Sequence, residues 1–524
     1  MWFACIAFLC LGGGAGFPSE AVLRQPIQVE SGQLEGVHDQ ESGVVAFKGI
    51  PYAAPPVGAL RWREPQPPVR WEGVRQTAAF GASCTQPVSA CTPPYTVEFS
   101  VTGATSEDCL FLNVWTPAAT AADKLAVLVY LHGGSGTHGS GSVPVYDGTA
   151  LARKGIIVVT LNFRLGILAG MGHPQLTRES PHHACGNYGM LDIIAALQWV
   201  RHNISAFGGD SDKVTLCGQS SGGMALHYLT ASPLAKGLFR GALAVSFPYD
   251  YLTKPHAVGN VWQKEQEGLK FATAKKAPTL EALRALPAAE LIAYDPAVGT
   301  FTRNCLGGGV NTDGWAFPLE YPAALDQGLA SDVPTLTGIT ADDFGPPARY
   351  LKTTAASFNA KVPKMFEGRA ADFRSLYPAS TDHAAREMEK LAQLEYRLSS
   401  VFYWAHRRAK TARTPVFTYL FEQAIPWPEH PEFGAFHSSD LVYEFNNLNR
   451  LQRPWSPADR RIADEVSSYW VNFVKTGNPN GTGRPTWLPF AADKPSTMAL
   501  GLASGPRQIV AQERLGFFRD LLEK

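Results

Sequence analysis

From residue 110 onward the chain is punctuated by short apolar runs, at 111–114, 125–131, 156–161, 214–217, 242–245, 333–339 and 416–421. Runs of this length without strict polar alternation mark strands buried on both faces. Between several of them the apolar spacing becomes helical. The clearest case is 190–200, where Leu191, Ile194 and Leu197 recur with Ile193 and Val200 beside them. Strands of this kind separated by helices predict an α/β architecture around a central, mostly parallel sheet. Upstream, residues 27–50 alternate polar and apolar around Ser31-Gly32 and Ser42-Gly43, which predicts N-terminal antiparallel hairpins. The stretch from Gly49 to Gly58 is too proline-rich for a regular element. Residues 260–300 and 349–412 read as large helical insertions over one edge of the sheet. No Gly/Ser linker interrupts the chain, so residues 22–524 are expected to form one decorated domain, longer than the usual single core.

The N-terminus has a different texture. Trp2 to Leu11 is apolar and is followed by Gly12-Gly13-Gly14-Ala15-Gly16. Residues 1–21 therefore read as a signal peptide, although a basic leading segment is missing, and the mature chain is expected to be secreted or periplasmic. The alternatives are a wrongly assigned start or a buried first strand. Lys plus Arg and Asp plus Glu balance at 46 each, which gives no electrostatic reason to expect nucleic acid or an anionic membrane as a partner. No later apolar segment reaches the roughly 18 residues that a membrane span requires, so stable membrane insertion is not expected. Of eight cysteines, Cys5 and Cys10 would leave with the signal peptide. Cys84, Cys91, Cys109, Cys185, Cys217 and Cys305 allow one to three bridges with open connectivity. Cys217, inside an apolar run, reads as a small core residue.

The run 214–217 ends in Gly218-Gln219-Ser220-Ser221-Gly222, and a helical pattern follows. That is G-x-S-x-G in a strand–turn–helix setting, where a tight turn pushes Ser220 outward and crowds its neighbours. A serine hydroxyl needs a base within reach and a third group to orient that base. The candidate acids, Asp342 and Asp343, follow the strand 333–339, at the edge where open α/β sheets hold their sites. One of them should face the base, and Asp342 reads as a loop anchor or helix cap. Among thirteen histidines, His437 has the order and setting the base requires: it lies after the last strong strand, in Gly434-Ala435-Phe436-His437-Ser438-Ser439-Asp440. Backbone N–H groups for an oxyanion come from Tyr130-Leu131-His132-Gly133-Gly134-Ser135-Gly136 and from Ser221, just after the nucleophile. No phosphate loop is present, and the histidines lack metal-ligand spacing, so neither cofactor nor metal is implied.

These segments together resemble the type-B carboxylesterases and cholinesterases of the α/β-hydrolase fold. The resemblance rests on Phe47-Lys48-Gly49-Ile50-Pro51-Tyr52-Ala53, Pro55-Pro56-Val57-Gly58, Leu60-Arg61-Trp62, and Ser106-Glu107-Asp108-Cys109-Leu110-Phe111-Leu112-Asn113-Val114. It extends to His132-Gly133-Gly134, Asn187-Tyr188-Gly189-Met190-Leu191-Asp192, Phe207-Gly208-Gly209-Asp210 and the serine turn. It implies Ser220 as nucleophile, His437 as base, Asp343 as acid, and Gly134, Ser135 and Ser221 as the oxyanion hole. It also implies a Cys84–Cys109 disulfide, an Arg61–Glu107 ion pair, and Ser246 as a serine close behind the acid. The chain departs from the family at four places. Asp343 stands where Glu is usual. Ser135 replaces a third glycine and is followed by Gly136 where an aromatic is common. Gln219 replaces a Glu before the nucleophile, removing a negative charge from the site floor. The 84–109 loop has no tryptophan, and without that face or the charge a choline ester is not the expected substrate. The expected activity is hydrolysis of small-molecule carboxylic esters through an acyl-enzyme. Acyl transfer to an alcohol and interfacial lipolysis are the catalytic alternatives, and a non-catalytic adhesion role is the remote one.

Overall fold

The computed structural model describes residues 22–87, 91–247, 249, 259–293, 310–343 and 347–522. The expected signal peptide and Cys305 lie outside them. The main sheet has eleven strands: β1 (Val37–Asp39), β2 (Val44–Pro51), β3 (Phe111–Thr116), β4 (Leu125–Leu131), β5 (Ile157–Leu161), β6 (Gly209–Gln219), β7 (Gly241–Val245), β8 (Thr335–Thr340), β9 (Val416–Phe421), β10 (Ser496–Leu500) and β11 (Gly505–Gln508). Their order across the sheet is β1-β2-β3-β5-β4-β6-β7-β8-β9-β10-β11. From β5 to β10 in that order, neighbours run parallel. The three strands before β5 and the final β11 pair antiparallel.

The apolar runs become strands because both faces of the sheet are covered. Val127, Val129 and Leu131 of β4 join Ile157, Val159 and Leu161 of β5 in one core, whereas Leu128, Tyr130 and Val158 point into the core on the other side. Pairing both faces with apolar partners removes the alternation that a half-exposed strand would show. The run expected at 333–339 starts only at Thr335, since Pro334 has no N–H to give a central strand. Both N-terminal hairpins form, but they part company. Ile27–Val29 and Gly32–Glu35 join Val74–Gln76 in a separate small sheet, while β1 and β2 edge the main one.

The helix expected at 190–200 spans Tyr188–Asn203. It is pinned to the segment after β5 by a buried ion pair, Arg164 to Asp192 at 2.7 Å, with side chains 4% and 0% exposed. The insertions are helical where described, with Val261–Ala274 and Leu280–Ala285 in the first and Ala355–Met365 and the long Asp382–Arg408 in the second. Asp382–Arg408 shares a third core with the C-terminal helix Gln512–Leu522, through Leu398, Phe402, Phe517 and Phe518. Another helix, Pro457–Thr476, begins with a Ser456–Asp459 capping box and stops at Gly477 in the left-handed conformation. It packs Val466, Trp470 and Phe473 into the core on the other face of the sheet. Among the described residues, no helix is long and apolar enough to cross a membrane.

The parallel strands end on one edge of the sheet. The loops after β4, β6, β8 and β9 therefore carry the expected oxyanion donors, nucleophile, acid and base to a common place.

Candidate active site

At the end of β6 the chain turns through Ser220, with φ 55° and ψ −122°, and enters the helix Ser221–Thr230. This left-handed backbone is strained for a residue with a Cβ. The Ser220 N–H is held by the Val245 carbonyl at 2.9 Å. The flanking glycines are steric necessities. A Cβ on Gly218 would lie 2.3 Å from the Gly222 carbonyl oxygen, and one on Gly222 would lie 2.3 Å from that of Leu131. The next helix starts at Ser221 and points its positive end at the turn.

Asp343 and His437 meet: Asp343 Oδ1 is hydrogen-bonded to His437 Nδ1, and Asp343 Oδ2 accepts the Thr340 N–H at 3.2 Å. The shorter carboxylate reaches because the two loops are drawn together by a β-bridge between Asp342 and Phe436. The Asp342 N–H donates to the Ala435 carbonyl at 3.0 Å, and Asp342 Oδ2 accepts the Ala435 N–H at 2.9 Å. Asp342 also pairs with Lys390 of the long insertion helix at 2.7 Å. These contacts make it a loop anchor, as its sequence setting implied.

Tyr95 and Gln219 also hold His437 and the residues on either side of it. The Tyr95 hydroxyl donates to the His437 carbonyl at 3.0 Å, and the Tyr95 ring packs edge-on against Phe436 at 5.8 Å. Gln219 Nε2 lies 3.1 Å from His437 Nε2 and donates to Ser438 Oγ at 2.9 Å. Burial alone would lower the imidazole pKa. The Asp343 charge and hydrogen bond, with a smaller push from Asp440, outweigh it and raise the pKa above the ordinary 6.5.

The glycine-rich loop after β4 holds Gly134 at φ 113°, Ser135 at 56° and Gly136 at 67°. A Cβ on Gly134 would fall 2.0 Å from the His138 carbonyl oxygen, and one on Gly133 would fall 2.2 Å from Gln219 Oε1. No acceptor among the described residues takes the N–H of Gly134, Ser135 or Ser221. The Gly136 N–H is occupied, by Ser221 Oγ at 3.1 Å. Three unclaimed N–H groups beside a projecting hydroxyl are the provision that a tetrahedral oxyanion requires.

Ser220, His437, Gly133, Gly134 and Ser135 line one pocket of about 340 Å³, completed by Tyr95, Phe99, Val101, Tyr146 and Leu441 among others. None of its described lining residues is Asp, Glu, Lys or Arg. Its second histidine, His138, has a pKa lowered by burial and is neutral near pH 7. The aromatic faces from the 84–109 loop are thus Tyr95 and Phe99. That loop is closed by a Cys84–Cys109 disulfide, and Arg61 pairs with Glu107 at its end.

The Ser246 hydroxyl donates to Asp440 Oδ2 at 3.5 Å. Asp440 and Glu444 form a buried acidic pair behind His437, each within 3.5 Å of the Tyr419 hydroxyl. Burial first, and then the Asp343 charge, raise the Asp440 pKa; burial and Asp440 raise that of Glu444. Asp440 sits three residues after His437, a spacing that carries no signal by itself. No local sequence signal marks the partners of Tyr95, Lys390 or the Ser221 hydroxyl, because each acts through a contact between segments distant in sequence. Among the described residues, no cluster of His, Cys, Asp or Glu is placed to hold a metal ion.

The model of the carboxylesterase family matches residues 24–518. A fumonisin B1 esterase of Sphingopyxis macrogoltabida is 34% identical, over 93% of this chain and 89% of its own. A para-nitrobenzyl esterase of Bacillus subtilis is 36% identical, over 91% of this chain and 94% of its own. A solved PNB esterase structure superposes with a TM-score of 0.75 at 30% identity, covering 93% of this chain and 98% of that one.

Proposed function

The chain belongs to the carboxylesterase family, and on that premise we propose that its serine carboxylesterase activity is carried by Ser220, His437 and Asp343, with Gly134, Ser135 and Ser221 holding the oxyanion. The observation that carries this reading is the Asp343–His437 hydrogen bond, made at the rim of the pocket into which Ser220 projects. With Nδ1–H donated to Asp343, His437 presents its Nε2 lone pair as the proton acceptor. Gln219 contacts that same nitrogen at 3.1 Å and must give way to the serine hydroxyl as substrate enters.

Ser220 Oγ attacks the ester carbonyl carbon while its proton passes to His437 Nε2. The carbonyl oxygen gains negative charge against the three backbone N–H groups. The intermediate collapses, His437 returns the proton to the leaving alkoxide, and the alcohol departs. Water then gives a proton to His437 and attacks the acyl carbon. The second collapse releases the carboxylic acid and restores the Ser220 hydroxyl.

The described pocket wall has no ionised carboxylate, ammonium or guanidinium, which favours uncharged esters over cationic ones. Relatives named for fumonisin B1 and para-nitrobenzyl esters span unlike molecules, in keeping with a pocket defined by aromatic faces more than by ion pairs.

A neutral p-nitrophenyl phosphonate tests the nucleophile directly. It is expected to modify one residue per chain, Ser220, with activity falling in proportion; full modification at another residue would remove Ser220 from its role. The proton site is tested by pH. His437 must be neutral to act, and its pKa is raised, so kcat/KM should fall as pH drops through a midpoint above 6.5. In Asp343→Asn the midpoint should move down, since burial then acts with less opposition. A wild-type midpoint at or below 6.5 would contradict this assignment.

A further inference from the structure

The glycine-rich loop of this chain asks a residue with a side chain to do a glycine's work. Ser135 sits at φ 56°, a conformation that glycine adopts freely and other residues adopt under strain. It is also one of the three residues whose N–H faces the reaction. Something must hold it there. The neighbouring residue, Gly136, is gripped on both sides. Its N–H donates to Ser221 Oγ at 3.1 Å, and its carbonyl accepts the Gly166 N–H at 2.8 Å. Ser221 is buried at 8% exposure and is the first residue of the helix that follows the nucleophile. One hydroxyl therefore joins the two halves of the anion-binding arrangement: the loop after β4, with two donors, and the helix start, with the third.

We propose that the Ser221 side chain is a positioning group for the oxyanion hole. By accepting the Gly136 N–H, it keeps the Ser135 peptide in the left-handed conformation that leaves the Gly134 and Ser135 N–H groups free. This inference rests on the reading of Ser220 as nucleophile. It gives Ser221 two separate functions, one through its backbone N–H and one through its oxygen.

A loop held in place for the transition state affects kcat more than KM, because the ground-state carbonyl draws little on those donors. The hydroxyl should also matter most while residue 135 carries a Cβ. In a Ser135→Gly background the loop takes the same backbone without strain, and the anchor has less to do. Neighbouring groups coupled in this way give non-additive double-mutant cycles.

The experiment is such a cycle on p-nitrophenyl acetate, joined to inhibition by a neutral trifluoromethyl ketone, which binds as a tetrahedral adduct. Ser221→Ala is expected to lower kcat about tenfold, the scale of one well-placed hydrogen bond, with KM changed by less than about twofold. Ketone affinity should weaken by a similar factor. In the Ser135→Gly background, the same substitution should cost less than about threefold. Unchanged kcat and ketone affinity in Ser221→Ala, or an equal loss in both backgrounds, would overturn the proposal. Phosphonate labelling of Ser220 separates the two readings. If Ser220 is labelled normally but the cycle fails, only this inference falls; if wild-type Ser220 is not labelled, both fall.

Discussion

Ser220→Ala is expected to reduce kcat for a small activated ester by about a million-fold, and His437→Ala by a comparable factor, with the double variant little worse than either. The size follows from what the pair does together. A serine hydroxyl at neutral pH is almost wholly protonated, and only transfer to His437 Nε2 makes it a competent nucleophile. Losing either partner forfeits the whole device, so the two losses do not add. The remaining rate would come from the N–H groups of Gly134, Ser135 and Ser221 acting on a bound ester attacked by water. Both substitutions shorten a side chain facing the pocket and leave Gly218, Gly222 and the Val245 contact in place, so the fold should persist. Steady-state kinetics on p-nitrophenyl acetate measure this. Ser220→Ala retaining more than about a hundredth of the wild-type rate would refute the assignment.

The second large effect separates two adjacent aspartates. Asp343→Asn is expected to lower kcat about ten-thousand-fold, whereas Asp342→Asn should cost about tenfold or less. An amide at 343 can turn its NH2 toward His437 Nδ1, which then becomes the acceptor and leaves Nε2 carrying the proton. The imidazole would be well placed and in the wrong tautomer. At 342 the side chain touches Ala435 N–H and Lys390, not the ring. An asparagine oxygen can still accept the Ala435 N–H, so the loop bridge is weakened by loss of the ion pair and is not abolished. Kinetics of the two variants side by side decide the matter, and the reverse order would show that Asp342 serves as the acid.

Much of this was legible in the chain because burial leaves a pattern. Strands β4 and β9 could be placed to the residue, since both their faces are covered and no polar position blurs their ends. β10 and β11 leave little pattern in the sequence. β10 has a short apolar stretch, Met498 to Leu500, and β11 is nearly all exposed and polar. Helix Pro457–Thr476 carries strong local signals, a Ser456-Pro457 start and a Gly477 stop. The site was readable in its serine turn, its acid and its histidine, since the fold orders them along the chain. The groups that hold these residues were not. Tyr95 reaches His437 across 342 positions, and Ser221 meets Gly136 across 85. Nothing in either local sequence announces its partner.

The two outer strands of the main sheet bear on self-association. An eleven-stranded sheet has two rims where unpaired backbone could template another chain. One rim is β1, three residues long, with His38 and Asp39 in it. The other is β11, four residues long, with Pro506 interrupting its donors and Arg507 paired to Glu422. Brevity, charge and proline at the rims oppose strand addition while leaving the interior of the sheet as apolar as its core demands. The wide hydrophobic sheet that gathers the site is thereby protected from the aggregation its own composition would otherwise invite.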